Sequence, residues 1–244
     1  VSYNSLAHRT TWLRSDLVDV VKKARDAGIP VISYDRMIYN ADSDLYISFD
    51  NRQVGVLMAE ALKEAIPEGG EIFMIQGSLD DDNVYQVKEG FEETLKGSSL
   101  EVVYTAFCEG WLAENAIPSV EEALELYPEV KGIMCGNDDI ASQVPQVLAE
   151  KQLAGKVAVV GQDGDVAACQ RIVEGTQYMT AFKAVGNEAK EAAEYAVRLG
   201  KGETLSEITE YTDDGSYQIP SRILIPWSVT SENMDELVID GGYH

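Results

Sequence analysis

The chain has 244 residues, 45% apolar and 25% charged, which suffices for one large or two medium domains with a packed core. Nineteen basic residues against 42 acidic ones leave a net charge of −23, and a surface that negative repels phosphate backbones and argues against a nucleic-acid partner. The cysteines are Cys108, Cys135 and Cys169 and the histidines only His8 and His244; with no CxxC spacing they suggest no zinc site, and the cysteines are expected as small buried hydrophobes.

No apolar run approaches the length of a membrane span. The chain opens without a signal peptide, as a processed exported domain would. Residues 16–27 then read as an amphipathic helix with Leu17, Val20, Val21 and Ala24 on one face, ended by Gly28. Pro30 to Ser33 begins a strand and 46–49 is another. Residues 51–65 place Val54, Leu57, Met58, Ala61 and Leu62 at helical spacing, and 67–70 form a turn. Strands are expected at 72–75, 102–106, 132–135, 157–160 and 179–182. Helices are expected at 83–95, 113–126, 138–150, 166–174 and 187–199, with Pro118 either in the first turn of its helix or kinking it. The tail from Gly202 reads as strand and loop ending in 222–225, with 211–215 a polar surface turn. Strand and helix in alternation predict parallel sheets covered on both faces, and the count fits two doubly wound lobes better than one sheet.

Six apolar runs stop on polar clusters: Tyr34-Asp35-Arg36, Gln76-Gly77-Ser78, Phe107-Cys108-Glu109-Gly110-Trp111, Gly136-Asn137-Asp138, Gly161-Gln162-Asp163 and Phe182-Lys183. Ligands of open parallel sheets bind beyond the carboxyl ends of the strands, where these clusters fall. Asp and Arg make strong charge-assisted hydrogen bonds, and Asn and Gln offer both donor and acceptor to hydroxyls that are both. A tryptophan such as Trp111 can stack on the C–H face of a sugar ring. Each residue has a plainer reading as well: a surface ion pair for Asp35-Arg36, a helix cap for Asn137 or Asp138, a core ring for Trp111, solvent exposure for Lys88 and a salt bridge for Lys183. The mixture suits a neutral, many-hydroxyl ligand better than a nucleotide.

An enzymatic reading would take Asp35 and Asp163 as the carboxylate pair of a glycoside hydrolase acting on pentosides. The sequence carries no GxSxG elbow, Walker loop or GxGxxG, and the Asp80-Asp81-Asp82 run lacks calcium-loop spacing. A second alternative is the effector-binding core of a sugar-responsive repressor, which would need a DNA-binding segment upstream.

The stretches Ser33-Tyr34-Asp35-Arg36-Met37-Ile38, Tyr46-Ile47-Ser48-Phe49-Asp50-Asn51, Gly110-Trp111-Leu112, Glu114-Asn115-Ala116, Gly161-Gln162-Asp163, Gly175-Thr176-Gln177 and Pro220-Ser221-Arg222 together resemble the periplasmic sugar-binding proteins of the ribose/galactose type, and within them the D-xylose-binding branch. The resemblance implies an α/β fold of two doubly wound parallel-sheet lobes joined by three crossing segments, a periplasmic binding protein of type I. It places residues 1–48 with 184–226 in the first lobe and 49–183 with 227–244 in the second. The crossings fall near Ser48-Phe49, Lys183-Ala184 and Pro226-Trp227. It implies an extracytoplasmic receptor, in the periplasm or anchored on the outer face of the membrane, that closes on a monosaccharide, D-xylose, without altering it. No cofactor and no metal are implied, and the partner is an ABC transporter, a chemoreceptor or a sensor kinase in the membrane. Carried over residue by residue, the sugar contacts are Asp35 and Arg36 on one lobe, and Asn83, Lys88, Trp111, Asn137 and Asp163 on the other, with Lys183 at a crossing. Arg9 and Trp12 come from the loop after the first strand. Lys88 departs from the family's arginine, exchanging a forked donor set for a point charge. About one βαβ unit of the first lobe is absent near residues 13–20, so the chain either joins two pieces across a missing segment or has a reduced first lobe.

Overall fold

The computed structural model describes residues 13–243, so Arg9 and Trp12 lie outside the described residues. In chain order, α1 (Leu13–Asp26) runs unbroken and leads to β1 (Ile32–Tyr34) and β2 (Leu45–Phe49). Then come α2 (Asn51–Ala65), β3 (Gly70–Gln76), α3 (Asp82–Leu95) and β4 (Leu100–Phe107). Two 3-10 turns, Glu109–Trp111 and Ala113–Asn115, precede α4 (Ala116–Leu126), which carries Pro118 in its first turn, where a missing N–H breaks no helical bond. The chain continues through β5 (Gly132–Cys135), α5 (Asp138–Glu150), β6 (Ala158–Asp163), α6 (Val166–Glu174), β7 (Met179–Phe182) and α7 (Val185–Gly200). It closes with β8 (Glu210–Asp213), β9 (Gln218–Leu224), β10 (Trp227–Val229) and a π-helical turn at Asp235–Ile239.

Two compact units result. One holds the described residues up to Asp50 together with Ala184–Ile225; the other holds Asn51–Lys183 and the chain from Pro226 onward. The first unit's sheet has the order β1-β2-β9-β8, with β8 antiparallel to β9. Residues 211–213 therefore belong to a strand and not to the surface turn their polar composition suggests. The turn proper is tied by Asp214, a buried carboxylate that accepts the backbone N–H groups of Ala41 (3.0 Å), Asp42 (3.0 Å), Ser216 (2.9 Å) and Tyr217 (2.7 Å). Burial pushes its pKa up, but these donors outweigh burial and hold it below the ordinary carboxylate value.

The second unit's sheet has the order β10-β7-β6-β5-β3-β4, with every pair parallel except β10 with β7. Alternation along the strands divides its core. Phe73, Ile75, Ile133, Cys135 and Val159 face α4 and α5, while Ile72, Met74, Met134 and Val160 face α2 and α3. All three cysteines are buried and form no disulfide. Both sheets are thus mixed rather than purely parallel, because each ends in one antiparallel strand supplied by the chain's tail.

Candidate functional site

In the second unit, β3 connects through α3 to β4 on one side, and β4 connects through α4 to β5 on the other. The strand order reverses between β3 and β5, and the gap beyond the carboxyl ends at such a reversal is where α/β sheets hold ligands. Gly77 and Gly136 line it: a Cβ on Gly136 would strike the Gly77 backbone nitrogen, so only glycine lets the two strand ends approach so closely. Beneath them, Gln162 donates from Nε2 to the Gly136 carbonyl.

Trp111 stands on this edge after β4. Gly110 and Trp111 both take positive φ, +61° and +60°, and Ser78 Oγ accepts the Gly110 N–H at 2.9 Å. The half-buried indole lies over Gly77, where a Cβ would overlap its six-membered ring, and Nε1 donates to Asp81 Oδ2 at 3.1 Å. The other oxygen of Asp81 accepts the Asn83 N–H at 3.0 Å and caps α3. One carboxylate thus fixes both the ring and the start of the helix that presents Asn83, which is itself buried.

Asn137 caps α5, its Oδ1 accepting the Ile140 N–H at 2.8 Å. Asp163 ends β6 at φ +103°, a strained conformation for any residue but glycine, and such strain collects at functional sites. Its carboxylate lies 3.5 Å from Nζ of Lys183, whose side chain is 10% exposed, and the Lys183 N–H donates to the Asp163 carbonyl at 3.3 Å. Asp163 and Lys183 therefore form one anchored polar pair at the ends of β6 and β7. Asn83, Trp111, Asn137, Asp163 and Lys183 share the carboxyl edge of a single sheet.

Lys88 is placed differently. It sits two turns into α3, on the face that also carries Tyr85, Glu89 and Glu92, and its Nζ donates to Glu92 at 2.5 Å. In the first unit, Asp35 follows β1 at φ +61°, with its N–H on the Ile47 carbonyl at 2.8 Å and its own carbonyl accepting Ser48 Oγ at 2.8 Å and Tyr46 Oη at 3.4 Å. Its carboxylate pairs with Arg36. Burial first, then the charges of Glu188 and Asp35, raise the Tyr34 pKa above its ordinary value; Tyr46 is raised mainly by burial.

Three residues that organise the site are not among the expected sugar contacts: Ser78 and Asp138 lie in the strand-end clusters, and Asp81 in the acidic run at 80–82. Asp138 is buried to 1% exposure, and both of its carboxylate oxygens accept hydrogen bonds. The strand-end cluster offers it as a helix cap alongside Asn137; Asn137 takes the cap, and Asp138 turns inward instead. The acidic run at 80–82 has a structural role in Asp81, and among the described residues no group of three or more His, Cys, Asp or Glu could hold a metal ion. No helix among the described residues is long and apolar enough to cross a membrane.

The family model described as a periplasmic binding protein domain matches residues 14–204. The chain is 40% identical over 233 residues to the D-xylose-binding periplasmic protein of Escherichia coli (strain K12), covering 93% of this chain and 70% of that protein. To the protein of the same description in Haemophilus influenzae it is 38% identical over equal shares. Among solved structures it is similar to an ABC transporter solute-binding protein from Clostridium phytofermentans with bound β-D-glucose, at 28% identity and TM-score 0.80 over 93% of this chain and 77% of the other. The strand order, the polar carboxyl edge and these matches agree, and the chain belongs to the periplasmic binding protein domain family.

Proposed function

We propose that the protein is an extracytoplasmic, non-enzymatic receptor for a neutral monosaccharide, a pentose, with D-xylose as the preferred ligand. The observation that carries this reading is the carboxyl edge of the second unit, which carries an anchored indole and the hydrogen-bonding residues Asn83, Asn137, Asp163 and Lys183 at the ends of strands flanking the strand-order reversal. A sugar presents an apolar C–H face and a rim of hydroxyls, which an aromatic ring with amides and charged donors and acceptors can match. The D-xylose-binding relatives and the sugar-bound neighbour support the ligand class. Asp35 and Arg36 of the first unit contribute the remaining contacts, with Lys88 at the margin. Contacts drawn from both units would let the ligand select a closed conformation, and that conformation is what a membrane partner, a sugar-importing ABC transporter or a sensor, would read.

Asp138, pushed up to about 7, has the pKa of a general acid. Its burial and its engaged oxygens nevertheless keep it from any substrate. Titration calorimetry with xylose, ribose, arabinose and glucose tests the proposal. Saturable heat with a pentose, strongest for xylose, is expected; no heat with any of the four sugars would refute it.

A further inference from the structure

Asp138 ties together elements that local sequence does not connect. Its Oδ2 accepts the N–H groups of Gly164 (2.8 Å) and Asp165 (3.1 Å) and the hydroxyl of Thr180 (2.8 Å). Its Oδ1 accepts from Gln177 Nε2 at 2.8 Å. Thr180 belongs to β7, and Gln177 leads into that strand and is held by Arg171 of α6, whose Nε donates to Gln177 Oε1 at 3.0 Å and whose Nη2 donates to the Asp138 carbonyl at 2.9 Å. Four donors from three segments thus converge on one buried carboxylate.

Two of these donors are the peptide N–H groups directly after Asp163. The turn they form holds Asp163 at φ +103° and Gly164 at φ +80°. Its surroundings are close-packed: a Cβ on Gly164 would overlap Phe182 and one on Gly161 would strike Asp138 Oδ1. The strained φ of Asp163 therefore persists because a neighbour over-determines it.

We propose that Asp138 is a positioning residue of the sugar site: as an anion it clamps the Asp163–Asp165 turn and so aims the Asp163 carboxylate at its ligand. The proposal rests on the sugar-binding reading above. The clamp needs an acceptor at every position, because the two peptide N–H groups and the Gln177 amide hydrogen can only donate. A protonated carboxyl brings a hydrogen of its own and loses its charge, so either the Thr180 hydroxyl turns to accept that hydrogen or a bond is lost, and the remaining N–H groups meet a weaker, neutral acceptor. Burial, then the Asp163 charge, raise the Asp138 pKa to about 7, against the lowering by Gln177, Thr180 and Asp165. The other titratable or charged groups facing it are Asp165 in the turn, Cys169 and Arg171 on α6 and Cys135 on β5; Lys183 acts through Asp163. Sugar affinity should therefore fall as pH drops through about 7.

The test measures the Kd for D-xylose by calorimetry from pH 5.5 to 8.5, with thermal unfolding alongside, in the unaltered protein and in Asp138→Asn, Thr180→Val and Asp163→Asn. At pH 8.5, Asp138→Asn should bind at least 10-fold more weakly while still folded, and its pH profile should be flat. Thr180→Val removes one donor to the anion; it should weaken binding several-fold and move the midpoint to higher pH. A folded Asp138→Asn with the original affinity and profile overturns the proposal, as does an unchanged midpoint in Thr180→Val should Asp138→Asn fail to fold. Asp163→Asn separates the two levels. If the unaltered protein binds sugar and Asp163→Asn binds equally well, the clamp aims nothing and only this inference falls. If the unaltered protein binds no sugar, the underlying reading falls and this inference with it.

Discussion

Replacing Trp111 by alanine removes a ring that rests on Gly77 and is oriented by one hydrogen bond to Asp81. Two effects follow, and they separate. If the exposed side of the indole stacks on a sugar, its loss weakens binding by about 1–3 kcal/mol, or roughly 5- to 150-fold in Kd. The lost Nε1–Asp81 bond costs stability instead, about 1–2 kcal/mol for a bond to a carboxylate, because Asp81 retains the Asn83 N–H and still caps α3. Trp111→Phe keeps an aromatic face but discards the N–H together with the second ring of the indole. It should show the stability loss nearly in full and only a few-fold loss of affinity. Calorimetric titration with D-xylose reads the first effect and urea unfolding without sugar reads the second. An alanine variant that is destabilised but binds with unchanged affinity would return Trp111 to a purely structural role and refute the stacking argument.

Three further outcomes follow from the geometry. Gly77→Ala drives a methyl into the Trp111 ring, so it should cost about 1–3 kcal/mol in urea unfolding and weaken sugar binding although the indole is still present; unaltered affinity would show that the ring's placement is immaterial. Asp214→Ala strands four backbone N–H groups in the first unit and should destabilise by about 2–4 kcal/mol in urea unfolding. Because the folded pKa of Asp214 is depressed, the stability it contributes is present above the unfolded value and lost as pH falls through the folded one, so the variant and the parent should converge in strong acid. Asp138 has the opposite sign: its folded pKa of about 7 lies above the unfolded value of 3.8, so the folded state holds the extra proton between them. Stability of the ligand-free protein should fall as pH rises from about 4 to 7, by roughly 4 kcal/mol at most at ~1.4 kcal/mol per pH unit, and Asp138→Asn should remove that slope in urea unfolding across the range.

Much of this protein was readable before its structure. Buried parallel strands are short continuous apolar runs, and amphipathic helices repeat every three to four residues, so β3, α2, β5, α5 and β7 are legible from periodicity alone. Strand ends show where such runs stop, which is why Trp111, Asn137, Asp163 and Lys183 could be named as candidates. The hairpin of β8 and β9 was not legible, because exposed edge residues such as Tyr211, Thr212 and Asp213 gain their strand conformation from pairing with Gln218, Ile219 and Pro220, not from their own polarity.

What sequence determined, then, is the alternation of elements and the chemistry offered at each strand end, since both follow from interactions between residues near in the chain. Tertiary structure alone decided which of those groups meet. The order β7-β6-β5-β3-β4 set the reversal beside Gly77 and Gly136. Asp138 reached Gly164 and Thr180 across gaps of 26 and 42 residues, and Asp81 reached Trp111 across 30. Lys88, grouped with the others through the family resemblance, turned along its helix to Glu92. Such contacts depend on sheet order and on the room glycine leaves, and neither is written in any local stretch of residues.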